Sequence, residues 1–393
     1  MKLKGKRIVL AVTGSIAAVE TVKLARELRR RGAEVIAVMS ESATKIIHPN
    51  ALEFATDNSV ITELKRAEHV KLLGLNGSAD LLLIAPVTAN TISKIANGIA
   101  DTPPTLFALT ALGSGKRVIV APAMHKAMFD ALEENLAKLK ALGIEIVPPK
   151  IEEGKAKLAS IDEICLLVEK SLYSKELAGK KVVVTSGPTF EHLDPIRFIS
   201  NRSSGRMGNE IALECWRRGA EVVLITSKPL GYQLPNLRQI VVRSVNDMLK
   251  AVLNEVLDAD LFVSAAAPSD FVVEMAETKI KTTQELTIKL KMAPKIIKEV
   301  RKVYDGHIIG FKAETGLSDD ELIKVAENKM EEDKLEMVVA NDVKERGMGT
   351  EDTRVIVITE KRKEWIEGLK SEVAERIVQI YIEDCLCSSL QQA

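Results

Sequence analysis

Aromatic side chains make up only 4% of the 393 residues, and no cysteine occurs before position 165. So few rings argue against a platform that stacks single-stranded bases. The four cysteines all come late, at Cys165, Cys215, Cys385 and Cys387. Cys165 and Cys215 lie in apolar helical runs and read as buried thiols, while the Cys385-x-Cys387 pair lacks partners at metal-binding spacing. With no disulfide framework, a reducing, cytoplasmic compartment is expected. Charge of one sign is also missing: 55 basic and 55 acidic side chains cancel. No strong field therefore favours nucleic acid or a membrane surface, although local phosphate pockets stay open. No apolar run approaches the length of a membrane span. Two motifs are absent as well. Without Gly-x-Gly-x-x-Gly a dinucleotide site is disfavoured, and without a Gly-Lys-Ser/Thr loop so is a P-loop enzyme.

What is present is a repeat. Lys2, Lys4, Lys6 and Arg7 precede IVLAVTGSIAAV, which imitates a secretory leader. The same pattern returns inside the chain, however. GKRIVLAVTGS is matched by GKKVVVTSGPT, and RRRGAEVIAVMS from Arg29 by RRGAEVVLITS from Arg217. Both copies read strand–turn–helix–strand, so the first is a fold element.

Short apolar runs predict strands at 7–12, 34–39, 80–85, 117–121 and 144–147. Amphipathic helices fall between them, at Thr21–Arg31 and Lys126–Ala141 for example. The second half repeats the logic at 181–185, 221–226, 238–242, 260–264, 307–311, 336–340 and 355–359. There LTIKL (286–290) suggests an inserted antiparallel piece, and a last helix is expected near 363–384 before a polar SSLQQA tail. The alternation predicts an α/β protein of two doubly wound, mainly parallel-sheet domains, 1–178 and 179–393. Ligands in such sheets bind at the carboxyl ends of strands, near a switch point.

In the first domain Gly14-Ser15 ends a strand and opens a helix, a turn that suits one phosphate. Ser40 and Ser42 close the second strand, Thr88 and Asn90 follow Pro86 at the end of the third, and Met124 follows an Ala-Pro ending of the fourth. Ordinary N-caps would look alike singly; their convergence favours a pocket. His69 is the candidate base of this half.

The second domain opens with the most informative stretch, KKVVVTSGPTFEHLDPIRFISNRSSGRMG (180–208). A buried strand ends at Gly187-Pro188, and a polar loop then carries Arg197, Arg202, Arg206 and Ser203-Ser204-Gly205 to a helix start near Met207. Small residues, arginines and free amides together describe an anion site. Further along stand Ser264-Ala265-Ala266 with Asp270 after one strand, Lys279 and Lys281, Pro294 at a helix start, the run Lys295-Ile296-Ile297, Phe311, and Lys329.

GPT-x-E, DPIRFIS and NRSSGRMG resemble the signature of phosphopantothenate–cysteine ligase, and residues 180–360 follow that family. GSIAA, His69 in HVKLLGLNGSADLLLIAP, APVTANT and APAM resemble the flavin-dependent phosphopantothenoylcysteine decarboxylases over residues 5–147. The resemblance implies a flavodoxin/Rossmann-like flavin domain followed by a Rossmann-like ligase domain, both serving coenzyme A biosynthesis. In the first, FMN would lie against Gly14, Ser15, Ser40, Ser42, Thr88 and Met124, with His69 as base and Asn90 holding the departing carboxylate. In the second, CTP with Mg2+ would meet Ser264, Ala265, Ala266, Asp270, Lys279, Pro294, Lys295, Ile296, Ile297, Phe311 and Lys329. Asn201 would contact the acyl-cytidylate and Arg206 a phosphate. The substrates implied are 4′-phosphopantothenate, cysteine and CTP. The assembly implied is a homo-oligomer of flavin-domain trimers, with a dodecamer as its larger form.

Four positions depart from the family. Lys312 stands after Gly310-Phe311, where a small residue is usual. His125 replaces an Asn after Pro122-Ala123-Met124; EEGKAKLASIDE (152–163) lacks the flap cysteine that supplies a proton; and Asp333 stands where a second lysine is expected. The missing cysteine keeps two alternatives open: a ligase with a degenerate flavin domain, and a non-enzymatic regulatory flavoprotein. No metal ligands are assigned.

Overall fold

The computed structural model describes residues 1–282, 286–344 and 349–386, so Cys387 and the SSLQQA tail lie outside the described residues. The chain divides into two units, Met1–Tyr173 and the remainder from Ser174.

The strands of the first unit are β1 (Arg7–Val12), β2 (Glu34–Met39), β3 (Leu81–Val87), β4 (Arg117–Pro122), β5 (Met124–His125), β6 (Glu145–Ile146), β7 (Lys150–Glu152) and β8 (Lys155–Lys157). Five form one parallel sheet in the order β2-β1-β3-β4-β6. All seven residues of β3 are buried, as a strand covered on both faces requires. The order reverses between β1 and β3, which puts a switch point at their carboxyl ends.

Residues 126–141 do not make the single helix expected. They form Lys126–Asp130 and Glu133–Ala141, because Leu132 leaves helical geometry (φ −99°, ψ 10°) and drops its side chain into the core. The stretch without cysteine is a hairpin: Glu153 and Gly154 turn with positive φ, β7 pairs with β8, and β8 pairs with β5.

In the second unit come β9 (Lys181–Ser186), β10 (Phe190–His192), β11 (Phe198–Ser200), β12 (Glu221–Thr226), β13 (Leu237–Val241), β14 (Leu261–Ser264), β15 (Phe271–Val273), β16 (Leu290–Met292), β17 (His307–Glu314), β18 (Met337–Asp342), β19 (Asp352–Ile358) and β20 (Lys363–Leu369). The main sheet runs β13-β12-β9-β14-β17-β18-β19-β20. Its first six strands are parallel and the last two antiparallel. Within the unit the parallel order is 3-2-1-4-5-6, with the switch point between β9 and β14. The inserted antiparallel piece is β15 against β16, which shares only Leu290 with the expected 286–290.

The long C-terminal helix is the largest correction. Residues 363–369 are strand β20, and only Lys370–Tyr381 is α-helical. KEWIEGL carries charge at helical spacing, but Trp365 packs on the core and Arg354 lies 3.8 Å over its ring. Those cross-strand contacts hold the segment in the sheet.

Phe262 is fully buried in β14, beside the switch point. Replacing it with alanine should cost about 3–5 kcal/mol through lost burial and the cavity left behind. Denaturant unfolding of the full chain should show that loss in the transition of the second unit, with the first unit's transition unmoved.

Candidate functional site

Three hydroxyls mark the carboxyl ends of adjacent strands in the first unit. Ser15 follows β1 and accepts from the amide of Ala17; Ser40 follows β2 and accepts from Ala43; Thr88 follows β3 and accepts from Thr91. Each caps a helix start, so sequence logic alone explains its position. Tertiary contacts then gather them. Ser15 Oγ donates to the carbonyl of Ala123 at 3.1 Å, beside Met124, and the amide of Thr88 donates to Thr13 Oγ1 at 3.0 Å. Gly14 lies so close to Ser42 that an added Cβ would stand 2.5 Å from the serine Cβ. No larger residue fits there.

Among the described residues the side chains of His69 and Asn90 make no hydrogen bond to that cluster, although Asn90 sits on the helix that Thr88 caps. His69 lies edge-on to Phe107, 6.1 Å between ring centres, and its Nδ1 is buried without a hydrogen-bond partner. Asn90 is exposed near the start of the helix Ala89–Ala96. His125, the departure from the family pattern, is exposed and accepts from the amide of Ala127 through Nδ1. Burial pushes the Cys165 and Cys215 thiols up to about 12, so neither is a nucleophile at neutral pH.

The second unit holds a cavity of about 900 Å³ at the carboxyl ends of β9, β14, β17 and β18. Asn201, Arg206, Ser264–Ala266, Asp270, Pro294–Ile297, Phe311 and Lys329 all line it. Lys279 does not, although it was expected there. Pro294 is also not the first helical residue. The helix is Ile296–Val300 with Lys295 as its cap, which leaves the proline in the loop before it.

Loop-to-loop hydrogen bonds build the cavity floor. Ala267 N donates to Gly187 O at 2.9 Å, Ser269 N donates to Thr189 Oγ1 at 2.9 Å, and Ala293 N donates to Asp270 O at 2.9 Å. Asn201 uses its side-chain nitrogen on the carbonyls of Ala267 (3.2 Å) and Pro268 (3.0 Å). Arg206 opens the helix Arg206–Arg217 after Gly205, which adopts φ 75° and provides no side-chain cap. Gly208 brings that helix onto β9: a Cβ there would lie 2.8 Å from the Ser186 Cβ. The helix start lines the cavity through Arg206, Met207 and Gly208, with the Arg206 amide donating to Ser204 Oγ at 3.5 Å.

Of the three arginines in the signature run only Arg206 lines the cavity. Arg197 is engaged by Asp194 Oδ2 (2.6 Å) and by the carbonyl of Ile280 (2.5 Å). Sequence reasoning missed Lys370, which is buried in the cavity wall and donates to Thr350 O at 2.7 Å. Burial and the nearby Arg206 lower its pKa. The helix expected near 363–384 placed Lys370 within that helix and gave it no role. Two of the departures from the family line the cavity: Lys312, paired with Glu314 at 2.8 Å, and Asp333, which accepts from Lys329 Nζ at 2.7 Å. No group of three or more His, Cys, Asp or Glu suited to a metal occurs among the described residues.

Comparison with known proteins bears on both units. A flavoprotein family model matches residues 1–173, and the model of the DNA/pantothenate metabolism flavoprotein C-terminal domain matches 177–384. The coenzyme A biosynthesis bifunctional protein CoaBC of Thermococcus kodakarensis is 50% identical over 387 residues, which is 96% of this chain and 94% of that protein. Its counterpart from Methanocaldococcus jannaschii is 41% identical over 383 residues, covering 96% and 93%. Among solved structures, the C-terminal domain of a bifunctional CoaBC protein is 31% identical, covers 53% of this chain and 97% of its own, and superposes with a TM-score of 0.44.

Asp194, in the DPIRF motif, shows what that motif does structurally. Burial alone would raise its pKa, but amides of Ile196, Arg197 and Ile280 and the Arg197 guanidinium hold it well below the usual carboxylate range. A depressed carboxyl contributes stability above its unfolded pKa, about 4, and loses it as pH falls through the folded value. Limited proteolysis of the full chain should therefore find the segment around Ile280 still protected at pH 4. Asp194→Asn should expose it to cleavage at neutral pH as well.

Proposed function

The chain belongs to the bifunctional coenzyme A biosynthesis protein family, and on that premise we propose that its second unit activates 4′-phosphopantothenate with CTP while its first unit decarboxylates with FMN. The two activities of the family, synthesis of phosphopantothenoylcysteine and its decarboxylation, are those of this chain. The cavity of the second unit carries the residue-level reading, because it gathers Asn201, Arg206, Asp270, Phe311 and Lys329 from segments far apart in sequence.

An amide forms from a carboxylate only after activation. Attack of the pantothenate carboxylate on the α-phosphorus of CTP forms the acyl-cytidylate and releases pyrophosphate. Cysteine's amine then attacks the acyl carbon, the acyl–oxygen bond breaks, and CMP leaves. Negative charge builds on phosphate oxygens in the first step, and Arg206, Lys370 and the amides of the Arg206–Arg217 helix start are the donors proposed to hold it. Asn201, with its nitrogen committed to two carbonyls, offers its oxygen to the intermediate. Mg2+ is proposed to arrive on the triphosphate.

In the first unit the hydroxyls of Ser15, Ser40 and Thr88 at three neighbouring strand ends, and the tight Gly14–Ser42 contact, suit the phosphate and ring of a mononucleotide. Met124 lies beside the carbonyl that Ser15 holds. FMN bound there would supply the two-electron chemistry that makes the carboxylate a leaving group. His69, whose Nδ1 has no hydrogen-bond partner, is the proposed base, and Asn90 the group that holds the carboxylate. Cytoplasmic location and a homo-oligomer of first-unit trimers complete the reading.

Mass analysis of products from 4′-phosphopantothenate, cysteine, CTP and Mg2+ tests the whole scheme. Phosphopantetheine is expected; unchanged substrate would overturn the CTP-dependent ligation. His69→Gln should leave ligation intact and accumulate phosphopantothenoylcysteine, with decarboxylation slower by about 10²–10⁴-fold. Arg206→Ala should slow ligation by about 10²-fold or more and leave decarboxylation of supplied phosphopantothenoylcysteine unchanged.

A further inference from the structure

Charge is distributed unevenly around the cavity of the second unit. Lys295 is compensated by Asp270 at 2.5 Å and Lys329 by Asp333 at 2.7 Å, and all four residues line the cavity. Arg206 pairs at 3.1 Å with Glu351, whose side chain is 77% exposed, so water screens that pair. Lys370 lies near enough to Arg206 for the two cations to repel each other, with Asp352 partly offsetting that repulsion, and its ammonium donates to Thr350 O. Arg206 and Lys370 begin two helices that pack together, Arg206–Arg217 and Lys370–Tyr381, whereas Lys329 and Asp333 belong to the helix Asp319–Glu332 and its C-cap.

Asp333 is badly placed for stability. It is 8% exposed, its Oδ1 is buried with no hydrogen-bond partner, and it caps the negative end of a helix. An unsatisfied buried acceptor and an acid at a helix C-terminus are both unfavourable. What Asp333 does accomplish is the neutralisation of Lys329. The lysine stem reaches across Gly310, where an added Cβ would stand 3.6 Å from Lys329 Cε, and Phe311 lines the cavity next to it.

We propose that Asp333 sets the polarity of the cavity: by cancelling the charge of Lys329 it reserves that end for the uncharged base and sugar of a nucleotide and leaves the polyphosphate to Arg206 and Lys370. Lys329 then acts as a hydrogen-bond donor to a neutral acceptor such as a base carbonyl. A desolvated carboxylate beside it repels a phosphate that strays to the same end. The inference rests on reading this cavity as the nucleotide site, and deepens it by naming the specificity-determining residue.

Calorimetric titration of the full-length protein with CTP and, separately, with inorganic tripolyphosphate tests the assignment. Wild type should prefer CTP. Asp333→Asn should bind tripolyphosphate tighter by about 10-fold, because Lys329 is left as an uncompensated cation. Asp333→Glu, which keeps the charge, should retain the wild-type ratio. The double variant Lys329→Gln/Asp333→Asn, neutral at both positions, should return to the weak tripolyphosphate binding of wild type. Unchanged tripolyphosphate affinity in Asp333→Asn, or an equal gain in the double or Asp333→Glu variants, overturns the proposal while the nucleotide site stands. Wild type that binds no CTP overturns the nucleotide reading and this inference with it.

Discussion

The hydrogen bond from the amide of Ala267 to the carbonyl of Gly187 ties the loops after β9 and β14 at the point where strand order reverses. Everything the second unit offers a ligand hangs from that junction. Thr189 extends it by accepting from Ser269, and Asn201 closes over it by donating to Ala267 and Pro268. The parallel sheet makes such a junction necessary. Two adjacent strands whose connections leave in opposite directions open a crevice at their carboxyl ends, and backbone polar groups in that crevice need partners. The loop sequences supply them.

Both units apply the same geometric device to different ends. In the first, the strand ends carry hydroxyls and a glycine pressed against a serine, with little charge. In the second, they carry an arginine, several lysines and carboxylates that compensate some of those lysines. A flavin site has mainly one phosphate and an apolar ring system to satisfy, whereas a ligase that works through nucleotidyl transfer has to manage a polyphosphate and a leaving pyrophosphate. On the function proposed above, that contrast in charge is a contrast in chemistry laid over a repeated fold. The DPIRF motif shows the same economy. Its acid and base form an internal clamp, Asp194 to Arg197 and Ile280, which fixes a loop.

Sequence patterns made most of the fold legible. Buried parallel strands are continuous apolar runs, and β1, β2 and β12 begin and end where those runs do. Errors fell where local pattern and tertiary context disagree. KEWIEGL looks helical by charge spacing, yet pairing with β19 and the stacking of Arg354 on Trp365 make it a strand. Residues 126–141 look like one helix, yet the core accepts Leu132 only if the helix breaks. Lys370 stayed hidden for the first of these reasons, and Lys279 was assigned to a cavity it does not line.

By itself, then, the sequence determined the class of fold, the repeat of two α/β units, the family resemblance and the greater part of the cavity lining. These follow from hydrophobic period and from motifs whose residues are contiguous. Tertiary structure decided much of how charge is allotted. The Asp194–Arg197 and Lys329–Asp333 pairs lie within one helical turn in sequence, but that Lys295 meets Asp270, that Arg197 also reaches the carbonyl of Ile280, and that Asp333 Oδ1 is left buried without a partner depends on neighbours tens of residues away. A linear pattern carries no record of those distances, and Coulomb energies depend on them directly.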